Sequence, residues 1–125
     1  MSLAKEIMGG GISPGAALSI GGGAGTLAAT GSAQGDAALI LTTCTLVTAA
    51  DGTKGVILPA MNIGESCEMF NNAGSTLKVY PPTGSAICVN GTGLGSANAA
   101  FSQLTYKHTR YSCYSSTQIM AITSA

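Results

Sequence analysis

The stretch Thr-Leu-Lys-Val-Tyr-Pro-Pro-Thr-Gly, residues 76–84, indicates the fold class more clearly than any other part of the sequence. Leu77 and Val79 alternate with Lys78, so an extended segment here has one apolar face and one polar face. The prolines and the glycine that follow are turn-forming residues and predict the end of the strand. A short strand that ends in a turn is the repeating unit of an all-β domain.

Similar short runs lie on both sides of this stretch. Most are rich in β-branched and aliphatic residues, and turn signals recur about every ten residues, as in small sandwiches and barrels. No segment between turns is long and periodic enough to predict a helix. We therefore expect an all-β fold, a small antiparallel sandwich or barrel. The other predicted strands are residues 38–41, 44–48, 56–58, 66–70, 86–89, 99–105, 107–114 and 117–122.

The strand predicted at residues 107–114 carries polar residues on both faces. His108 and Arg110 share one face, whereas Thr109 and Tyr111 share the other. A strand that is polar on both sides is not expected to be covered by the core of its own subunit. The pattern therefore predicts a sheet edge or a surface between subunits.

The same region supplies the candidate binding residues. The expected subunit or ligand surface consists of Tyr106, His108, Arg110, Tyr111 and Tyr114. One candidate ligand is a sugar or a nucleic-acid base, but the interpretation we favour is a subunit boundary at which the tyrosine hydroxyls find partners. Nucleic-acid binding needs more cations near these rings than Lys107 and Arg110 provide.

Composition narrows the class of function. The chain has 125 residues and a mass of 12.3 kDa, the size of one domain. Five basic and five acidic residues give a formal net charge of +0, and only 8% of residues are charged. This excludes an electrostatic binder of nucleic acid or of an anionic membrane, because both need a dense cluster of Lys and Arg. A chain with so little charge tends to associate, so the composition indicates an assembly component.

Residues 1–35 differ from the rest of the chain, because glycine clusters at residues 9–11 and 21–23 give backbone freedom and little to pack. We expect a flexible Gly-rich N-terminal arm over residues 1–35 and a β domain over residues 36–125. The arm is either a plain tail or a segment that orders on another surface. Its candidate docking residues are Leu3, Ile7, Met8, Ile12, Leu18 and Ile20.

The cysteines and the apolar runs bear on the cellular compartment. No run approaches the roughly twenty apolar residues of a spanning helix, and no secretion signal is evident, so we expect synthesis in a cytosol. The four cysteines contain no C-x-x-C pair and the chain has a single histidine, so we expect no metal site. Two disulfides in any of three connectivities remain open. The interpretation we favour is four buried, reduced side chains, at Cys44, Cys67, Cys88 and Cys113.

Catalytic patterns are missing from the sequence. Glu65 and Glu68 are three residues apart near the start of a predicted strand, so they point to opposite faces and do not form an acid–base pair locally. There is no Gly-x-Ser-x-Gly elbow, and the glycine clusters lack the lysine of a phosphate-binding loop. We expect no catalytic residue, no cofactor and no enzymatic activity.

The middle of the chain resembles small β-rich virion proteins of tailed bacteriophages, which occur among capsid decoration (cement) and head-fibre proteins. Those proteins have a G-V-x-L-P strand, an N-x-G turn and an L-x-V-Y-P-x-x-G strand in this order. The matching segments here are Gly-Val-Ile-Leu-Pro at 55–59, Gly64, Phe-Asn-Asn-Ala-Gly at 70–74, Leu-Lys-Val-Tyr-Pro-Pro-Thr-Gly at 77–84, and Ala-Ile at 86–87.

The resemblance covers about residues 36–123, and the motifs consist of turn and core residues. It implies an all-β homotrimer on the outer surface of a phage head, made in the bacterial cytoplasm and bound to the major capsid protein. A tryptophan common near the last strand of such proteins is absent, and Tyr111 or Tyr114 is expected in its place. Two alternatives stay open. One is a head-fibre or tail-fibre tip that binds the host surface. The other is a small carbohydrate-binding sandwich, against which the absence of tryptophan argues.

Overall fold

The computed structural model describes residues 23–90 and 95–124, which form two packed β-sheets. The strands are β1 (Ala24–Ala28), β2 (Ala38–Leu39), β3 (Cys44–Ala49), β4 (Gly55–Ile57), β5 (Ser66–Asn71), β6 (Leu77–Tyr80), β7 (Ala86–Val89), β8 (Phe101–Gln103), β9 (His108–Cys113) and β10 (Gln118–Thr123). The large sheet has the strand order β1-β3-β5-β9-β10-β7, and the small sheet has the order β2-β4-β6-β8. A single 3₁₀ turn, Gln34–Asp36, is the only helical element of the described residues.

The all-β prediction is confirmed for the described residues, whereas the predicted antiparallel arrangement is wrong. Five of the eight strand pairings are parallel, and three are antiparallel. The chain alternates between the sheets, so β1, β3 and β5 lie side by side in the large sheet while β2, β4 and β6 do so in the small sheet. These six strands form three stacked coils.

The turn between β3 and β4 explains why the pairing differs from the prediction. Asp51 Oδ1 accepts hydrogen bonds from the backbone N–H groups of Thr53 and Lys54, each at 3.0 Å, and Gly52 has a φ of 88°. These are the features of a tight turn, and Asp-Gly is a sequence that favours one. The turn nevertheless carries the chain from one sheet to the other, so the strands on either side of it do not pair.

Residues 23–35, which the sequence assigned to the flexible arm, are part of the β fold. β1 pairs with β3 in the large sheet, Thr30 forms a bridge with Gly55, and Ala29 is buried. The β domain therefore begins before residue 36. The six candidate docking residues of the arm, Leu3, Ile7, Met8, Ile12, Leu18 and Ile20, lie outside the described residues.

Apolar side chains that alternate along the strands fill the space between the sheets. Val47, Met69 and Ile119 of the large sheet belong to this core, as do Val56 and Leu77 of the small sheet. All five are at most 2% exposed. Burying each such side chain contributes about 1.5–3 kcal/mol, so the core is the main source of stability.

A buried polar network joins the two sheets where the parallel coils end. The Gln103 amide nitrogen donates to the Met69 and Lys107 carbonyls at 3.0 and 2.8 Å, and the Tyr111 hydroxyl donates to Gln103 Oε1 at 2.8 Å. Asn71 donates to the Gln103 carbonyl at 3.1 Å. Asn71, Gln103 and Tyr111 are all 0% exposed. Because every polar atom in the network is partnered, it links β5, β8 and β9 without an unpaired buried group.

β9 is a central strand, which corrects the edge or surface expected for residues 107–114. It pairs with β5 on one side and with β10 on the other. Thr109 and Tyr111 face the core because their hydroxyls are hydrogen-bonded there. Thr109 Oγ1 lies 3.0 Å from Thr123 Oγ1, and Tyr111 donates to Gln103. A polar side chain with a satisfied hydrogen bond can face a core, so polarity on both faces does not define an edge.

Candidate functional site

The five residues predicted to form a subunit or ligand surface do not share one surface. Tyr111 is 0% exposed, so its side chain is not accessible to another subunit or to a ligand. Tyr106 and Tyr114 are exposed but lie beyond opposite ends of β9. His108 and Arg110 are exposed on the face of β9 that points away from the core. Of the five predicted residues, only His108 and Arg110 therefore share an exposed face. The two exposed tyrosines lie at opposite ends of the strand.

His108 and Arg110 belong to the outer face of the large sheet, the face turned away from the core. The strand register arranges side chains of three neighbouring strands in two rows across this face. The rows are Cys44–Glu68–Arg110 and Leu46–Phe70–His108. One row is polar and the other carries two apolar residues beside the histidine, so the face offers both kinds of contact within a small area.

A shallow, open depression on this outer face has mostly apolar walls. Ala24, Leu46, Phe70 and His108 are among the residues that line it, with Cys44 and Glu68 beside them. The depression is open to water. Its shape suits a contact with a flat partner better than the enclosure of a small molecule.

Cys44 lies at this depression and is exposed, which corrects the expectation that all four cysteines are buried. Its thiol donates to Glu68 Oε2 at 3.7 Å. Partial burial and the Glu68 carboxylate both raise the pKa of the Cys44 thiol. A raised pKa lowers the fraction of thiolate, the nucleophilic form, so the site does not favour thiol chemistry.

The other three cysteines are buried, as predicted, and Cys44, Cys67 and Cys113 are free thiols. Burial raises the pKa of the Cys67 thiol to about 12, with smaller contributions from Cys44 and Glu68. Such a thiol is protonated at neutral pH and behaves as a small apolar core residue. Within residues 23–90 and 95–124, no group of three His, Cys, Asp or Glu side chains is placed to hold a metal ion.

The carboxylates of the described residues do not converge on one site. Glu65 Oε1 accepts a hydrogen bond from the Asn62 backbone N–H at 2.6 Å and so stabilises a turn before β5. Glu68 lies within β5 on the outer face, and Asp51 holds the turn between β3 and β4. Glu65 and Glu68, the two carboxylates considered as an acid–base pair, therefore have separate structural positions.

One feature that the sequence reasoning missed is an apolar crevice at the open end, the end of the sandwich where β1 and β2 are the edge strands. Leu27, Leu39 and Leu41 line this crevice together with Gly25 and uncharged threonines. Leu39 is 50% exposed and Leu41 is 80% exposed. Among the described strands, β1 pairs only with β3 and β2 only with β4, and the exposed leucines lie beside these two strands.

The signal for this crevice was present in the sequence. Residues 38–41 read Ala-Leu-Ile-Leu, which is apolar at every position. Ile40 is 1% exposed and packs in the core. Successive side chains of a strand point to opposite faces, so positions 39 and 41 face outward, where polar residues are usual. The two leucines on the outward side therefore form an exposed apolar patch, a feature typical of interaction sites.

No family model matches the chain, and no curated protein or solved structure shows significant similarity to it. Of the residues described, none belongs to a helix with the length and apolarity that a membrane crossing needs.

Proposed function

We propose that this protein is a non-enzymatic structural component of a bacteriophage virion. In this role it is a capsid decoration (cement) protein that binds the outer surface of the head as a homotrimer and stabilises it. The observation that carries the proposal is the outer face of the large sheet. Among the outward-facing strand positions of this face, only Glu68 and Arg110 are charged. The face is six strands wide and nearly neutral.

A broad, nearly uncharged face is suited to contact with another folded surface. Leu46 and Phe70 lie partly exposed on it, and Ile122 is exposed. Apolar side chains at the centre of a contact with polar ones around them are typical of stable protein interfaces, which bury about 800 Å² on each partner. We assign this face to the contact between subunits of the trimer.

A trimer would bind the capsid more tightly than a single subunit because of avidity. Each subunit adds one weak contact with the shell, and the second and third contacts form at a high effective concentration once the first is made. The N-terminal arm supplies these contacts to the major capsid protein through its apolar residues Leu3, Ile7, Met8, Ile12, Leu18 and Ile20. Such a role needs buried area and no catalytic group, which agrees with the separated carboxylates and the open depression.

The experiment that tests this proposal locates the protein on particles. Phage particles are isolated from cultures of the source organism and labelled for electron microscopy with gold-coupled antibodies raised against the purified chain. The proposal expects gold over the head surface. Particles with unlabelled heads, in a preparation where the antibody detects the chain by immunoblot, would contradict it.

A second candidate is a fibre-tip module that binds the host surface, and the depression beside His108 and Phe70 is the observation that favours it. Tyr111 takes no part, because it is buried. Gold confined to fibre or tail tips would support this candidate. His108→Ala would then reduce host attachment, whereas Tyr114→Ala, a change of an exposed residue outside the depression, would leave attachment unchanged.

A further inference from the structure

The outer face of the large sheet holds one acidic and one basic side chain directly opposite each other. Glu68 of β5 is the register partner of Arg110 of β9. The Cys113 N–H donates to the Glu65 carbonyl at 2.9 Å, so the backbone hydrogen bonds between these strands fall at the odd-numbered residues of β5. Glu68 and Arg110 therefore form a non-hydrogen-bonded pair, the kind in which the two Cα atoms are only about 4.5 Å apart.

Despite this proximity, each charged group contacts a neutral side chain instead of the other charge. The Glu68 carboxylate accepts from the Cys44 thiol at 3.7 Å. The Arg110 guanidinium donates to the Ser66 hydroxyl at 3.4 Å. No ion pair within the described residues involves either side chain. Opposite charges at directly opposed strand positions stabilise a sheet when they pair, so their separation leaves both charges available to another partner.

A contact between subunits changes what these two charges need. Water solvates an exposed carboxylate or guanidinium, but a covering subunit removes this water, and a buried charge without an opposite charge is strongly unfavourable. Apolar side chains lie next to the pair, because Phe70 follows Glu68 on the same face and Ile122 is the register partner of Arg110. A contact that covers these apolar side chains also covers both charges and must supply each with a partner.

A second copy of the chain carries both partners in the correct ratio. Every subunit brings one Glu68 and one Arg110 to this face. In a cyclic trimer, each subunit contacts its two neighbours through different parts of its surface. A subunit that offers Glu68 to one neighbour and Arg110 to the other therefore leaves no charge unpaired around the ring.

We propose that Glu68 of each subunit forms an ion pair with Arg110 of the next subunit, so that three identical pairs close the trimer. The inference rests on the proposed trimer contact and names the residues that define its geometry. The pairs fix the register of the subunits, because a shifted arrangement brings like charges together. Leu46, Phe70 and Ile122 supply apolar area around the pairs.

Carbodiimide coupling tests whether the pair lies between subunits. This reagent joins a carboxylate to a lysine amine without a spacer, so Arg110→Lys keeps the positive charge and makes the pair linkable. The full-length R110K chain is expected to be a trimer by light scattering and to give covalent dimers and trimers on a denaturing gel. E68Q/R110K is the matched control and is expected to lose these products. Mass spectrometry locates the amide between positions 68 and 110.

The coupling products distinguish failure of this inference from failure of the proposed function. Amides between positions 68 and 110 of different chains support the inference. If the unmodified and R110K chains are trimers but the amide forms within one chain only, or does not form, the inference is overturned and the trimer stands. A monomeric unmodified chain overturns the trimer and the inference together.

Charge reversal gives an independent answer. R110E brings two like charges together at each contact and is expected to lower the native mass from three times 12.3 kDa to 12.3 kDa. E68R/R110E exchanges the two charges and is expected to restore the trimer. Lys78→Glu, a reversal on the small sheet, is expected to leave the trimer intact. A trimeric R110E chain, or a monomeric E68R/R110E chain that is folded by circular dichroism, would overturn the proposal.

Discussion

The two ends of the sandwich differ in how their sheets are held together. Around Gln103, a buried polar network joins β5, β8 and β9, and all its polar atoms are partnered. At the open end, β1 and β2 form the last parallel coil of the described residues, and Leu39 and Leu41 face outward. One end is therefore held by buried hydrogen bonds, whereas the other presents exposed apolar side chains.

Gln103→Leu disrupts the buried polar network and is expected to lower the free energy of unfolding more than any other substitution considered. It removes three buried hydrogen bonds, to the Met69 carbonyl, the Lys107 carbonyl and the Tyr111 hydroxyl, although the Lys107 carbonyl still accepts from the Asn71 N–H. A buried hydrogen bond contributes about 1 kcal/mol, so we expect the free energy of unfolding to fall by about 3 kcal/mol. Urea denaturation followed by circular dichroism measures the change.

The neighbouring exposed position provides the control for this variant. Ser102 lies beside Gln103 in β8, and its hydroxyl only accepts from Lys78 Nζ at the surface. Ser102→Ala is expected to change the free energy of unfolding by less than about 0.5 kcal/mol. Equal effects of the two substitutions would show that the network does not hold the sheets.

Tyr111→Phe and Tyr114→Phe compare a buried and an exposed hydroxyl on one segment. Removing the Tyr111 hydroxyl leaves buried Gln103 Oε1 unpartnered, so we expect a loss of about 1–2 kcal/mol in the free energy of unfolding. Tyr114 is 61% exposed, and its hydroxyl can bond to water instead. We expect no change for Tyr114→Phe, and a loss as large as that of Tyr111→Phe would contradict the placement of the two rings.

Thiol labelling compares Cys44, near the open end, with Cys67 in the core. Cys44 is exposed, whereas burial raises the pKa of Cys67 to about 12. Ellman's reagent is expected to modify one thiol per native chain and four per chain in denaturant. Cys44→Ser should abolish the native reaction while Cys67→Ser leaves it intact. Native labelling that survives Cys44→Ser would show that the core thiols are accessible.

The smallest expected effect is the pH dependence from Asp51. Hydrogen bonds from Thr53 and Lys54 lower the pKa of the Asp51 carboxyl to about 2, below its ordinary value of 3.8. A carboxyl whose pKa is lower in the folded state stabilises the protein above its unfolded pKa, and this stability is lost as the pH falls through the folded pKa. The melting-temperature advantage over Asp51→Asn should therefore be constant above about pH 5 and vanish near pH 2. An advantage that does not change between these pH values would contradict the turn geometry.

The sequence predicted where the strands lie but not how they pair. Alternation at Leu77, Lys78 and Val79 identified β6, and the prolines and Gly84 that follow identified the turn after it. A turn signal reports that the chain reverses or bends locally, and it does not report whether the next strand joins the same sheet or the opposite one. The parallel coils depend on that choice, so the antiparallel prediction was wrong.

The site was harder to predict because burial of polar residues depends on partners far along the chain. Tyr111 finds Gln103, and Thr109 finds Thr123, so a strand that is polar on both faces becomes central. Nothing local to residues 107–114 reveals those partners. The crevice at the open end could have been predicted from the sequence, because Leu39 and Leu41 are apolar at positions where alternation around Ile40 favours polar residues.

The native mass of the full chain in solution tests the central claim, that the protein is an assembly component, most directly. Light scattering is expected to give three times 12.3 kDa for the unmodified chain. Phe70→Arg, on the outer face of the large sheet, is expected to give a folded monomer, and Ser102→Arg, on the small sheet, to remain a trimer. A monomeric unmodified chain would contradict the account.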